Sequence, residues 1–202
     1  GRTCVDQFAD QEVSAGQGTI GMEFRHQHSE PFEAVFVPVG GGGLAAGIAT
    51  FVKFLRPETK VIGVEPEDAA CMKAALDARE RVSLPSVGLF ADGVAVRQVG
   101  EETFRLCREL VDEVITVSTD EICAAVKDTF DDTRASAEPA GAVGLAGLKT
   151  YAERNTGRGV GTLVAINSGA NLNFDRLRHI AERAELGITD RQGVGAGQSP
   201  AS

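Results

Sequence analysis

Short runs of mostly β-branched apolar residues alternate along this chain with longer segments in which apolar residues recur every three or four positions. Residues 35–39, 60–65, 113–117 and 161–167 are runs of the first kind, and we predict that they form buried β-strands. The longer segments are predicted to be α-helices that bury one face. Because strands and helices alternate, the pattern predicts an α/β fold of three layers, a parallel sheet with helices on both faces.

The predicted helices are marked by different start signals. Ser118 and Glu121 have the spacing of a capping box, and Asp68 is a candidate N-cap for the helix that contains Met72. Pro139 suits the first turn of a helix. The predicted helices cover residues 45–55, 68–76, 101–111, 118–130, 138–155 and 168–186, with a further short helix after a small-residue turn at 15–19.

Two segments show neither the apolar runs of the predicted strands nor the three-to-four-residue spacing of the predicted helices. Residues 81–99 are interrupted by proline and glycine, and we predict a long loop that passes over a site, because long ordered loops in compact domains are often functional. Residues 188–202 are dominated by Gly, Ser, Gln and Pro and are predicted to be a disordered tail. The predicted folded domain is therefore residues 1–187.

The composition of the 202-residue chain is typical of a globular protein, with 43% hydrophobic and 24% charged residues. Its formal net charge of -9 argues against binding to nucleic acid or to an anionic membrane surface. No apolar run is long enough to span a bilayer, and the four cysteines include no Cys-x-x-Cys pair of the kind found in zinc sites. We therefore expect no nucleic acid and no membrane among the partners, and no zinc.

Four consecutive glycines follow the first predicted strand and lead into an alanine-rich helix. Residues without Cβ let successive N–H groups approach an anion closely, and the positive end of the helix dipole points to the same place. The alternative is a tight turn without a ligand. Ser168 follows another predicted strand, so it is expected at the same sheet edge, where ligands of such folds bind. The candidate phosphate-binding residues are Gly40, Gly41, Gly42, Gly43 and Leu44.

The pattern alone leaves two kinds of phosphate ligand open. A P-loop nucleotide site is excluded because no Gly-Lys-Ser/Thr follows the glycines. Gly41, Gly43 and Ala46 fit the spacing Gly-x-Gly-x-x-Ala, and Glu65 ends the second strand where a ribose-binding acid would lie. A Rossmann-type NAD-binding module is therefore one reading, and a smaller phosphorylated cofactor is the other.

Several segments together resemble the pyridoxal-phosphate enzymes of the tryptophan synthase β-subunit fold type, and within it the threonine dehydratases (threonine ammonia-lyases). The resemblance covers about residues 7–187 and implies a partial copy of that fold, the second half of its catalytic region. The segments that carry it are residues 15–19, 37–47, 64–66, 87–96, 138–139 and 168–171.

The resemblance implies roles for the candidate residues. The glycines and Leu44 would hold the phosphate of pyridoxal 5'-phosphate through main-chain N–H groups, and Ser168 would hydrogen-bond the pyridine nitrogen. A neutral hydroxyl there makes the ring a weaker electron sink than a carboxylate would, which suits β-elimination. The implied reaction is the dehydration of L-threonine to 2-oxobutanoate and ammonia in isoleucine biosynthesis.

The family's Schiff-base lysine lies in a Ser-x-Lys-x-Arg-Gly context that none of the five lysines here has. We therefore assign no catalytic residue to this chain and expect it to be inactive alone, as a fragment without the lysine-bearing half. The resemblance implies a homo-oligomer when the protein is full length. It also implies a cytoplasmic location, or a plastid or mitochondrion in a eukaryote.

Two departures from the family pattern affect the expected chemistry. Ala140 stands where the family often has Ser or Thr after Glu-Pro. In racemase-like relatives a divalent cation is held by a glutamate matching Glu65 and by a carboxylate at the position of Ala70. Because alanine offers no carboxylate, we expect no metal here. The alternatives are a serine dehydratase or racemase, the NAD-binding module, and a non-catalytic protein that binds a partner subunit.

Overall fold

A computed structural model of the protein describes residues 10–193, with side chains described over residues 10–185. Two short 3-10 turns, Glu67–Ala69 and Asp92–Val94, lie between the regular elements. The strands are β1 (Ala34–Pro38), β2 (Lys60–Pro66), β3 (Glu113–Val117) and β4 (Leu163–Ala165). The helices are α1 (Gln11–Gln27), α2 (Gly43–Leu55), α3 (Cys71–Ala78), α4 (Glu101–Leu110), α5 (Thr119–Thr133), α6 (Pro139–Arg154) and α7 (Phe174–Gly193).

The four strands form one parallel sheet in the order β3-β2-β1-β4. Side chains alternate between its two faces, so Phe36 and Ile62 pack in one apolar core with residues of α5 and α6. Val35 and Val61 pack in the other, with residues of α2, α3 and α4. The predicted α/β fold, with helices on both faces of a parallel sheet, is confirmed.

Several local predictions are also confirmed. β3 covers residues 113–117 as predicted, and Ser118 and Glu121 form the reciprocal hydrogen bonds of a capping box at the start of α5. Pro139 occupies the first turn of α6. Residues 81–99 form a connection whose only helical turn is Asp92–Val94.

The small-residue segment at 15–19 lies inside α1, so the prediction of a turn there is wrong. A Cβ atom on Gly18 would lie 3.1 Å from the Gly47 carbonyl oxygen, and one on Gly47 would lie 2.2 Å from the Ser14 carbonyl oxygen. The glycines therefore allow the backbones of α1 and α2 to touch. Asp10 caps α1 by accepting a hydrogen bond from Glu12 N–H at 2.8 Å.

The last predicted strand and helix have different bounds in the structure. β4 contains three residues, and α7 begins at Phe174 rather than at Ser168, so Ser168 is not a helix N-cap. α7 continues to Gly193, past the predicted boundary at 187. Gly187 therefore lies inside α7 and does not end it. A glycine inside a helix costs about 1 kcal/mol, which a 20-residue helix can tolerate. Residues 194–202 of the predicted tail lie outside the described residues.

Candidate cofactor site

The candidate site is an open cavity of about 380 Å³ at the carboxyl ends of the strands. The loop after β1, the turn around Asp92–Val94, the start of α6 and the loop after β4 meet there. Gly40, Gly41, Gly42, Gly43, Leu44 and Ser168, all predicted from the sequence, line this one cavity, together with Gln17, Pro38, Gly93, Val94, Val96, Glu138 and Ala140.

Three carbonyl groups of the glycine loop, defined as residues 40–44, accept hydrogen bonds from groups that do not line the cavity. Gly41 O accepts hydrogen bonds from Thr103 Oγ1 at 2.7 Å and from Gly100 N–H at 3.3 Å. Gly40 O lies 3.5 Å from the Cys71 thiol, and Gly42 O accepts from Ala46 N–H at 2.8 Å. Consecutive carbonyls are thus bound to the protein, away from the cavity.

The N–H groups of the glycine loop have no acceptor within residues 10–193. The first N–H groups of a helix have no intrahelical partner, and the helix dipole adds positive potential at the same end. Gly42 has a left-handed backbone, with φ of 96°, and a Cβ on Gly40 would lie 3.1 Å from Val94 Cα. The loop therefore presents a row of donors that fits a phosphate, and side chains there would disturb it.

Ser168 lies at the exposed end of the cavity. Its loop is tied to the start of α6, because Glu138 N–H donates to Gly169 O at 3.0 Å. The Glu138 side chain lies over the same loop, where a Cβ on Gly169 would be 2.0 Å from Glu138 Oε1. Ser168 thus lines the same cavity as the glycine loop, on a segment that is tied to the start of α6.

Gly141 fixes the position of the Ser168 loop, and we expect Gly141→Ala to displace it. The new Cβ would lie 2.2 Å from Gly169 O and 2.9 Å from Gly169 N, both main-chain atoms. We expect a loss of about 2 kcal/mol in the free energy of unfolding, with amide NMR shifts concentrated at residues 167–169. Gly159→Ala is the matched control, because nothing lies within 4 Å of its new Cβ. Unchanged spectra at 167–169 in Gly141→Ala would contradict the prediction.

Glu65 does not line the cavity and is fully buried. Its two carboxylate oxygens accept from Met72 N–H and Lys73 N–H, each at 2.8 Å, so Glu65 caps α3 instead of Asp68. Burial raises the pKa of Glu65 to about 7, against the effect of these hydrogen bonds, which lower it. A ribose-binding role for Glu65 is therefore wrong.

Cys71 lies between Glu65 and the glycine loop. Burial, with a contribution from the nearby Glu65 charge, raises the pKa of the Cys71 thiol to about 12. The thiol therefore stays protonated at neutral pH, and its one proton is shared between two acceptors within reach, Gly40 O and the Glu65 carboxylate. Cys71 acts here as a weak hydrogen-bond donor and not as a nucleophile.

All five lysines are engaged outside the cavity. Lys53 pairs with Asp112 at 2.8 Å, and Lys60 donates to the Tyr151 hydroxyl at 3.1 Å. The other three pairs are Lys73 with Asp77, Lys127 with Asp131 and Lys149 with Asp128. Within the described residues, no amine faces the glycine loop.

The residues behind the loop were not predicted from the sequence. Thr103 and Cys71 lie in segments that read as ordinary amphipathic helices, and nothing in their spacing indicates contact with residues 40–42. Glu138 offered a usable signal, because Glu-Pro belongs to the motifs that carry the resemblance, but it was assigned no role.

The chain matches the model of one protein family, described as pyridoxal-phosphate dependent enzyme, over residues 1–169. The chain belongs to this family. Members of this family depend on pyridoxal 5'-phosphate, which is therefore the cofactor of this chain's family. The NAD-binding alternative is excluded, because Glu65 is buried away from the cavity and the family uses another cofactor.

Several curated relatives of this pyridoxal-phosphate family member are named threonine dehydratase. The chain is 60% identical over 187 residues to L-threonine dehydratase biosynthetic from Burkholderia multivorans, covering 93% of this chain and 37% of the relative. It is 57% identical to the Escherichia coli protein of that name, covering 93% and 36%. The Arabidopsis thaliana relative, named threonine dehydratase biosynthetic, chloroplastic, is 54% identical, covering 93% and 31%. The chain thus spans about a third of the length of these relatives.

Solved structures confirm the fold type of this family member. Threonine deaminase isoform 2 from Solanum lycopersicum, in its processed form, superposes with a TM-score of 0.87 at 49% identity, covering 91% of this chain and 50% of that one. Maize serine racemase superposes with a TM-score of 0.79 at 29% identity, covering 87% and 55%.

No helix within residues 10–193 combines the length and apolar character needed to cross a membrane. Over the same range, no three His, Cys, Asp or Glu side chains lie close enough together to hold a metal ion.

Proposed function

We propose that this chain is the phosphate-binding part of the catalytic region of an L-threonine dehydratase, which converts L-threonine to 2-oxobutanoate and ammonia. The observation that carries the proposal is the meeting of the glycine loop and Ser168 at one cavity. The identity of 52–60% to proteins named threonine dehydratase favours threonine over the serine racemase alternative, whose maize representative is 29% identical.

Each group of the chain has a separate task in this reaction. The N–H groups of the glycine loop hold the cofactor phosphate, and the helix dipole of α2 adds to their attraction. The Ser168 hydroxyl orients the pyridine nitrogen without giving it a full positive charge. When bound, pyridoxal 5'-phosphate supplies the electron-withdrawing group that makes loss of the α-proton and the β-hydroxyl feasible. Val94 and Val96 form an apolar wall beside the phosphate end.

The lysine that the reaction needs is proposed to come from the part of the relatives that this chain does not span. The pairing of all five lysines outside the cavity supports this, and so does the lack of the family's lysine motif. The chain alone is then expected to bind the cofactor phosphate without turnover.

The biological setting is proposed from the names of the relatives. They are called biosynthetic, which supports a role in isoleucine biosynthesis. A bacterial protein of this kind is proposed to work in the cytoplasm, and a eukaryotic one in a plastid or mitochondrion, as the names of the Arabidopsis thaliana and Schizosaccharomyces pombe relatives state for those proteins. The whole protein is proposed to act on a small amino acid as a homo-oligomer.

The experiment supplies the missing part. The 202-residue chain is refolded with the N-terminal part of the Burkholderia multivorans relative, up to the start of the matched region, in the presence of pyridoxal 5'-phosphate. We expect 2-oxobutanoate from L-threonine only in the mixture, at least a hundredfold above either part alone. Ser168→Ala in this chain is expected to lower the rate about tenfold or more, because the ring nitrogen loses its partner.

Three results would contradict the proposal. Turnover by the chain alone would show that one of its own lysines acts as the Schiff-base lysine. An assembled mixture that binds the cofactor without producing 2-oxobutanoate would overturn the dehydratase assignment. Faster racemisation of L-serine than dehydration of L-threonine would support the racemase alternative.

A further inference from the structure

Side chains that do not line the cavity contact the carbonyl groups of the glycine loop, and Thr103 makes the shortest of these contacts. Thr103 is 1% exposed and lies in the first turn of α4, more than sixty residues from the loop in sequence. Its hydroxyl oxygen lies 2.7 Å from Gly41 O and 3.2 Å from Gly100 O. Thr103 therefore touches the side of the loop that faces away from the cavity.

The single proton of the Thr103 hydroxyl goes to Gly41 O. A hydroxyl has one donor, and the contact to Gly41 O is the shorter of the two. Gly100 O already accepts a hydrogen bond from Phe104 N–H at 3.0 Å, as the first bond of α4, whereas Gly41 O has only a longer bond from Gly100 N–H at 3.3 Å. The Gly41 carbonyl depends on Thr103 for its short hydrogen bond.

The orientation of the peptide group between Gly41 and Gly42 decides whether its N–H or its carbonyl faces the cavity. The peptide that carries Gly41 O also carries the N–H of Gly42, and the planar trans geometry puts these two groups on opposite sides. Holding Gly41 O toward α4 therefore turns Gly42 N–H toward the cavity. Thr103 also leaves no room for a side chain at the next residue, since a Cβ on Gly42 would lie 3.0 Å from both Thr103 Cβ and Thr103 Oγ1.

We propose that Thr103 is a positioning residue for the cofactor phosphate, whose hydroxyl holds the Gly41 peptide so that the glycine loop presents its N–H groups before any ligand arrives. The inference rests on the proposed phosphate role of the loop and adds a residue that does not line the cavity. Cys71 makes a weaker contact of the same kind, 3.5 Å from Gly40 O. Preorganised donors bind an anion more tightly because their ordering cost is already met in the free protein.

The test measures phosphate binding by the 202-residue chain itself. Isotope-labelled protein is titrated with inorganic phosphate and with pyridoxal 5'-phosphate, and the amide shifts of residues 40–44 are followed. We expect saturable shifts in the unchanged chain. Thr103→Val, which keeps the shape and removes the hydroxyl, is expected to weaken both ligands about threefold to tenfold. Thr103→Ser restores the hydroxyl and is expected to bind within about twofold of the unchanged chain.

Two further variants separate positioning from folding. Thr50→Val removes a hydroxyl that donates to Ala46 O at 2.8 Å within α2, outside the cavity, and is expected to leave binding unchanged. Thr103→Ala avoids placing a methyl group against Gly41 O and is expected to weaken binding as Thr103→Val does, even if the valine variant does not fold.

Three results would overturn the inference: no shift of residues 40–44 with either ligand in the unchanged chain, full affinity in Thr103→Val or Thr103→Ala, or equal losses in Thr103→Ser and Thr103→Val. These outcomes are independent of the dehydration assay. Phosphate binding that depends on Thr103, without turnover in the reassembled mixture, would leave this inference standing and overturn the proposed function. Turnover in the reassembled mixture, with no effect of Thr103→Val on phosphate affinity, would support the proposed function and overturn this inference.

Discussion

Gly47→Ala is expected to lower the free energy of unfolding by about 3 kcal/mol, because the new methyl group has no room between α1 and α2. Its Cβ would lie 2.2 Å from Ser14 O and 2.9 Å from Gly18 N, and main-chain atoms of a helix cannot turn aside as a side chain can. α1 must therefore move away from α2 as a unit. Urea unfolding followed by circular dichroism measures the loss.

The matched control is Gly16→Ala on the opposite side of the contact. Gly16 also lies inside a helix, but nothing is within 4 Å of its new Cβ. Alanine is the better helix former, so this variant is expected to gain about 0.5–1 kcal/mol. Equal effects of the two substitutions would show that helix propensity, and not backbone contact, explains the glycines of α1 and α2.

Glu65 is expected to make the protein less stable as the pH rises from about 4.5 to about 7. The pKa of Glu65 is raised from 4.5 to about 7 by burial, so over this range the unfolded chain releases a proton that the folded chain keeps. Unfolding then becomes easier with each rise in pH, by up to about 3 kcal/mol in total. Below this range both states are protonated, and above it both are ionised, so the contribution stays constant.

Glu65→Gln is expected to remove that part of the pH dependence. The variant loses stability of its own, about 2 kcal/mol, because an amide NH2 replaces one of the two carboxylate oxygens and cannot accept from the main-chain N–H group that faces it, that of Met72 or Lys73. The stability advantage of the unchanged chain over the variant should therefore fall from pH 5 to pH 8 in urea unfolding and pass through zero, because the pH-dependent loss of about 3 kcal/mol exceeds the difference of about 2 kcal/mol. Glu58→Gln, at an exposed position, controls for the loss of one negative charge. A difference that stays constant with pH would contradict the prediction.

The parts of the fold that follow from local patterns were predictable. The apolar run before the glycines predicted a buried strand, and β1 confirms it. The four glycines predicted a loop at the carboxyl end of that strand without knowledge of any distant contact, and they line the cavity there. The capping box of Ser118 and Glu121 works within four residues, so its sequence determines its geometry. Ser168 could be placed beside the glycine loop because parallel strands end at one edge of the sheet.

The remaining features depend on contacts between distant segments. Gly18 lies in the segment predicted as a turn and Gly47 inside a predicted helix, and neither pattern indicates that the two glycines meet where α1 packs on α2. Asp68 is the better N-cap by sequence, and Glu65 replaces it because β2 delivers a carboxylate to the start of α3. The contact of Thr103 with Gly41 joins positions 62 residues apart, which no periodicity indicates.

β4 is an unprotected edge strand of the described sheet. Its three residues, Leu163, Val164 and Ala165, carry no charge, and among the described strands it pairs only with β1. The main-chain groups on its other side are thus available to a strand from another molecule, without the lysine or proline that often protects an edge. Pairing between two such edges would grow with concentration, so a dilute sample is the right state in which to compare variants.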